Sequence, residues 1–218
     1  VSDLVLLPGL GADRRLFQEQ AAALPVPVIV PDWPAPGPGE SLPGFARRVA
    51  ERLPGPVGVI GGASFGGMVA LEAATLLQPK AVVLLGSCTT PAAVAPTLRW
   101  LGRFFVRLPE RCFRPRPWAA PLLQLMFGQL RSAERRLFWD MVSVVPPGFI
   151  RWGCQAILSW LPTAPGVPVF HLHGSADRLI PVRRVRPTQT LESAGHLLNL
   201  SHPIETTEFI ARVLAEVV

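Results

Sequence analysis

Val57-Gly58-Val59-Ile60-Gly61-Gly62-Ala63-Ser64-Phe65-Gly66-Gly67-Met68-Val69-Ala70 is the stretch on which the fold turns. It passes from an apolar, β-like segment through Gly62-Ala63-Ser64-Phe65-Gly66 into a helix-like one. A G-x-S-x-G turned sharply between strand and helix holds one serine hydroxyl clear of the backbone in strained geometry, a nucleophile elbow. Glycines two positions either side of the serine are what such a turn requires, because a Cβ there would run into the neighbouring strand or helix. Glycine and serine are common residues, so the pattern alone says little. Its strand–turn–helix setting is what marks Ser64 as a candidate nucleophile.

Upstream lie two strand–helix units. Val5-Leu6-Leu7 runs into the loop Pro8-Gly9-Leu10-Gly11-Ala12-Asp13, and a helix is expected near Arg14 to Leu24. A second strand, Val26 to Val30, ends at Pro31-Asp32; the proline- and glycine-rich Trp33 to Gly39 reads as a surface loop, and a helix is expected over Leu42 to Leu53. Downstream of the serine come a helix and the apolar strand Ala81 to Leu85. Continuous apolar strands alternating with helices imply a mostly parallel sheet covered on both faces, an α/β fold. The alternation breaks between about Thr89 and Pro162, where short helices separated by prolines hold five of the six tryptophans. It resumes at Pro168-Val169-Phe170-His171-Leu172-His173-Gly174, and an amphipathic helix from about Pro203 to Val217 closes the chain. The expected organisation is a core of residues 1–88 and 163–218, with a helical cap insertion at 89–162.

A chain of 218 residues is one domain by size, and with 49% hydrophobic and 17% charged residues it is globular rather than disordered. No apolar run is long enough to span a bilayer, and Val1-Ser2-Asp3 is not a basic leader, so a cytoplasmic location without membrane contact is expected. Cys88, Cys112 and Cys154 are odd in number and lack metal-ligand spacing. The net charge of +6 is carried by arginine, Lys80 being the only lysine. With no basic tail or aromatic-interleaved basic motif, no nucleic-acid partner is expected.

A serine hydroxyl is a poor nucleophile at neutral pH and needs a base poised near 7, itself oriented by a carboxylate. Among His171, His173, His196 and His202, the base that fits is His196, in Ser193-Ala194-Gly195-His196 between a short strand-like Thr188 to Leu191 and the last helix. Asp177, in Gly174-Ser175-Ala176-Asp177 after the penultimate strand, is the candidate acid. Ser64, Asp177, His196 is the chain order this hydrolase geometry uses.

On Pro8-Gly9-Leu10-Gly11, Gly62-Ala63-Ser64-Phe65-Gly66 and the Gly174…Asp177…Pro181 plus Gly195-His196 pair, the chain resembles the α/β-hydrolase superfamily, most closely its cofactor-free serine carboxylesterases with a small helical cap. The resemblance implies Ser64, Asp177 and His196 as the catalytic triad, and the N–H groups of Leu10 and Phe65 as the oxyanion hole. It also implies cleavage of carboxylic esters through an acyl-enzyme with no cofactor and no metal. Esters or thioesters on a carrier, lactones, and a noncatalytic ligand receptor of the same fold are the rival readings. The chain departs from the family in three ways. Pro8-Gly9 stands where the oxyanion loop usually begins His-Gly, the usual first two strands are absent, and only nineteen positions separate Asp177 from His196. A minimal version of the fold is therefore expected, with the helix between the last two strands reduced to a turn near Val182 to Val185.

Other residues admit plainer readings. Asp32 ends a strand and fits loop capping better than substrate contact, and His202 before Pro203 fits helix entry. His171 and His173 alternate on one strand face, where satisfied core histidines are favoured over a metal pair. Arg99, Arg103 and Arg107 form one helical stripe beside Trp100, Phe104 and Leu108, and nine arginines oppose Glu110 and Glu134 between Arg99 and Arg136. A solvated cap face is the plain reading; an acidic partner docked there is the sharper one. Trp100, Phe104, Trp139 and Trp160 are expected to line an apolar pocket for a small-molecule ester.

Overall fold

In the computed structural model, which describes residues 3–116, 120–128 and 130–217, the apolar runs become parallel strands alternating with helices. In chain order these are β1 (Asp3–Leu7), α1 (Gln18–Ala23), β2 (Val28–Ile29), α2 (Leu42–Ala50), β3 (Val57–Ala63), α3 (Phe65–Leu77) and β4 (Ala81–Leu85). Four helices follow, α4 (Pro96–Phe105), α5 (Ala120–Phe127), α6 (Ser132–Val144) and α7 (Pro147–Leu158). The chain then returns through β5 (Val169–Gly174), β6 (Gln189–Leu191), α8 (Leu198–Ser201) and α9 (Pro203–Val217). The six strands form one sheet in the order β2-β1-β3-β4-β5-β6, every pair parallel.

Strand alternation divides the core. Val5, Leu7, Ile60, Val82 and Leu84 meet Phe45 and Val49 of α2 and Met68 and Val69 of α3 on one face. Leu4, Leu6, Val59, Val83 and Leu85 meet Phe17 and the Phe209, Ile210 and Val213 stripe of α9 on the other. Every residue of β3 and β4 is buried, as strands inside a doubly covered parallel sheet must be. Each such large apolar side chain contributes about 1.5–3 kcal/mol over leaving it exposed.

The structure departs locally from the sequence expectations. The first helix is split: Asp13 caps a 3-10 turn at Arg14–Phe17 by accepting the Arg15 N–H, and α1 begins only at Gln18. β2 is two residues long rather than five, because Pro25, Pro27 and Pro31 supply no N–H to a ladder and confine this edge strand to the residues between them. Between β5 and β6 the chain makes a 3-10 turn at Val182–Arg184 in place of a helix, as expected. Trp118 lies outside the described residues. The loops after β1, β3, β5 and β6 all leave the carboxyl ends of parallel strands, the edge at which open α/β sheets build their sites.

Candidate active site

Ser64 joins β3 to α3 with φ 50° and ψ −117°, a left-handed conformation costing a non-glycine residue about 1–3 kcal/mol. Its surroundings enforce that conformation. The Ser64 N–H donates to Leu85 O at 3.0 Å, and Ser87 Oγ donates to Ser64 O at 2.6 Å. The flanking glycines are steric necessities. A Cβ on Gly62 would lie 2.6 Å from Gly66 O and 2.7 Å from Leu7 O, and one on Gly66 would lie 2.5 Å from Pro8 O.

The structure brings Ser64, His196 and Asp177 together although 132 positions separate the serine from the histidine. His196 Nε2 is 2.8 Å from Ser64 Oγ, and His196 Nδ1 is 2.7 Å from Asp177 Oδ2. Asp177 Oδ1 accepts the N–H groups of Leu179 at 2.8 Å and Ile180 at 2.9 Å, which fixes the carboxylate plane. Burial alone would raise the Asp177 carboxyl; the field of His196, its hydrogen bond and the Ile180 N–H outweigh that and hold it below the usual carboxylate value. An ionised Asp177 draws the Nδ1 proton of a neutral imidazole, leaving Nε2 as the acceptor for the serine hydroxyl. The arrangement can take a proton from Ser64.

Beneath the acid lies a second histidine pair. His171 Nε2 and His173 Nδ1 are 3.0 Å apart, and His173 Nε2 is 2.7 Å from Ile180 O and 3.4 Å from Asp177 Oδ2. A carbonyl can only accept, so His173 carries its proton on Nε2, and His171 Nε2–H donates to the bare Nδ1. Burial pushes His171 down to about 3 and lowers His173, keeping both rings neutral near pH 7. They are satisfied core histidines, and His173 ties Ile180, one of the acid's hydrogen-bond donors, to β5. Burial likewise pushes the thiols of Cys88 up to about 12 and Cys154 up to about 11, so neither offers a thiolate at neutral pH.

Phe65 follows the serine directly, and a Cβ on Gly9, the residue before Leu10, would lie 3.7 Å from Ser64 Cβ; the N–H groups of Leu10 and Phe65 have no backbone acceptor among the described residues. The Leu10 side chain rests on α7, where a Cβ on Gly153 would fall 3.1 Å from Leu10 Cδ2. The base loop is clamped by the helical segment as well: His196 N–H donates to Phe127 O at 3.0 Å, and the Phe127 ring lies 5.7 Å from the imidazole. Gly195 packs on Gly128 so closely that a Cβ on either would come 2.8 Å from the other's Cα. Sequence reasoning missed this contact; the close glycine pair, far apart in the chain, carries no local signal.

The aromatic expectations need correction. Trp160 is buried, its Nε1 donating to Glu72 Oε1 at 2.7 Å beside the Thr163 N–H at 2.9 Å, so it seals the chain against α3 instead of lining a pocket. Trp100 and Phe104 are 59% and 53% exposed on α4, and Trp139 is half-buried on α6. None of these four lines the main cavity beside the oxyanion-loop residue Pro8. That cavity, about 780 Å³, is walled by Pro8, Trp33, Val145, Phe149 and Trp152, with Arg151 at its side. Ser64 and His196 do not line it. Pro8, in the loop after β1, is one of its walls, and the buried Phe65 ring next to the serine packs behind it, 5.6 Å from Trp33, 6.2 Å from Phe149 and 5.9 Å from Trp152. Trp33 Nε1 is buried with no hydrogen-bond partner among the described residues. The Phe149–Trp152 spacing, which places both on one face of a helix, was the available signal.

Residues 4–208 match the model of the alpha/beta hydrolase family, and the chain belongs to that family. No curated protein sequence matches it. Among solved structures it is similar to a thermophilic esterase from Thermogutta terrifontis, with 21% identity, a TM-score of 0.80, and coverage of 100% of this chain and 90% of the esterase. It is similar also to MenH from S. aureus at 15% identity and TM-score 0.78, covering 99% of this chain and 94% of that one. The enol-lactonase from Burkholderia xenovorans LB400 matches at 17% identity and TM-score 0.74, with 99% and 92% covered. The family match and the parallel sheet establish the α/β-hydrolase fold, which these solved structures share.

Proposed function

We propose that this protein hydrolyses carboxylic esters of small to medium apolar groups through an acyl-enzyme on Ser64. The observation that carries the reading is His196, hydrogen-bonded at one ring nitrogen to Ser64 Oγ and at the other to a buried, doubly held carboxylate. His196 Nε2 takes the hydroxyl proton as Ser64 Oγ attacks the carbonyl carbon, and Asp177 stabilises the imidazolium that forms. The N–H groups of Leu10 and Phe65 donate to the tetrahedral oxyanion; one such donor is typically worth about 10²–10³ in rate. His196 then gives its proton to the alcohol oxygen as the ester C–O bond breaks; it next takes a proton from a water that attacks the acyl carbon and returns it to Ser64 Oγ as the bond to the acyl group breaks and the acid leaves. The cavity between Trp33 and Trp152 offers an apolar wall for one side of the ester, and the unpaired Trp33 N–H offers a donor to an oxygen of the substrate. Segment 89–162 acts as the cap, closing over the site through Phe127 and α7.

The testing experiment is hydrolysis of p-nitrophenyl esters from acetate to octanoate, beside lactones and thioesters. Turnover of the oxygen esters with a burst of p-nitrophenol is expected. Failure to cleave any ester by folded protein would sink the reading.

A further inference from the structure

Helix α4 is amphipathic, yet it turns its apolar side away from the protein. None of its residues is buried. Its inner side rests on α7, where a Cβ on Gly102 would meet Leu158 Cδ1 at 3.3 Å, and Leu98 and Val106 on the same side are half-buried. Around the outer side run Trp100 at 59% exposure, Leu101 at 40%, and Phe104 and Phe105 at 53% each, and just past the helix Leu108 is 39% exposed. Trp100 and Phe104 meet edge to face at 5.0 Å, and the five fall within nine consecutive residues. Apolar surface gathered in this way on a soluble protein marks something it binds.

The charges beside the patch indicate the occupant. Arg103 and Arg107 border the apolar arc, and Arg111, Arg114 and Arg116, all exposed, follow them in the chain. From Arg99 to Arg116 six arginines face one acid, Glu110, which lies 3.9 Å from Arg151. A second copy docked here would set two arginine rows against each other. An outward aromatic and leucine arc with an arginine border is instead the pattern of a helix lying in the plane of an anionic lipid surface. We propose that α4 docks this protein on anionic membranes, with Trp100, Leu101, Phe104, Phe105 and Leu108 entering the acyl boundary and Arg103, Arg107 and Arg111 meeting lipid phosphates. No described helix is long and apolar enough to cross a membrane, but in-plane docking needs none, and it departs from the expectation of no membrane contact, which rested on the lack of a spanning segment. The proposal does not depend on the esterase reading, although α7, against which α4 packs, also carries the Phe149 and Trp152 walls of the cavity.

The test is flotation of the purified protein with phosphatidylcholine vesicles, with and without phosphatidylglycerol. Binding is expected to need the anionic lipid and to weaken with salt. An R103Q/R107Q/R111Q variant should lose about 100-fold in affinity. W100S/F104S should also lose binding while keeping the wild-type far-UV circular dichroism. Three results would overturn the proposal: no binding to anionic vesicles, binding that both variants retain, or equal binding to soluble polyglutamate that W100S/F104S leaves intact. The last would assign the arginine row to an acidic protein.

Discussion

Ser64→Ala is expected to lower kcat for a p-nitrophenyl ester by about 10⁵–10⁶-fold, the loss typical when the nucleophile of such a unit is removed. The change deletes one hydroxyl and its hydrogen bond to His196 Nε2, but leaves the backbone bonds from Ser64 N–H to Leu85 O and from Ser87 Oγ to Ser64 O intact. The elbow should therefore keep its shape, with an unchanged far-UV spectrum and a melting temperature close to wild type. A variant whose kcat stays within about tenfold of wild type, a barrier change of only about 1.4 kcal/mol, would place the chemistry elsewhere.

Asp177→Asn should cost about 10⁴-fold in kcat with little change in KM. The direction follows from the hydrogen bonds. Two N–H groups, of Leu179 and Ile180, point at Oδ1, so the asparagine must present its carbonyl oxygen there and turn its NH₂ toward His196 Nδ1. Nδ1 then has to accept, which moves the imidazole proton to Nε2 and aims it at Ser64 Oγ. The serine loses its base without any side chain leaving its place. Rates within about tenfold of wild type would mean that Asp177 does not orient the base.

The candidate triad was legible because each member sits at a fixed offset from a strand end, and a β–turn–α register can be followed in the sequence. Ser64 needed glycines on both sides, Asp177 needed a turn with free N–H groups, and His196 needed a loop reaching back over the sheet. The parallel sheet was legible for a related reason: β3 and β4 are apolar at nearly every position, as strands buried on both faces must be. The aromatic residues were not legible. Trp160 is fixed by Glu72, a buried carboxylate 88 positions earlier, and nothing near Trp160 in the sequence points to it. Trp100 and Phe104 share the helical spacing of a pocket wall, but α4 turns that stripe outward. Trp33 sat in a loop read from its prolines, although that loop leaves the carboxyl end of β2 and so belongs beside the site. Which way a short helix faces, and what a proline-rich loop packs on, are set by contacts between segments far apart in the chain.

The central claim is that Ser64 is a nucleophile activated by His196. It is tested most directly by intact-mass measurement after exposure to a fluorophosphonate, which phosphonylates an activated serine and leaves ordinary hydroxyls alone. One adduct per chain is expected, localised by peptide mapping to the segment containing Ser64 and absent from Ser64→Ala. Folded wild-type protein that takes up no adduct, or takes it up equally in the alanine variant, would contradict the claim.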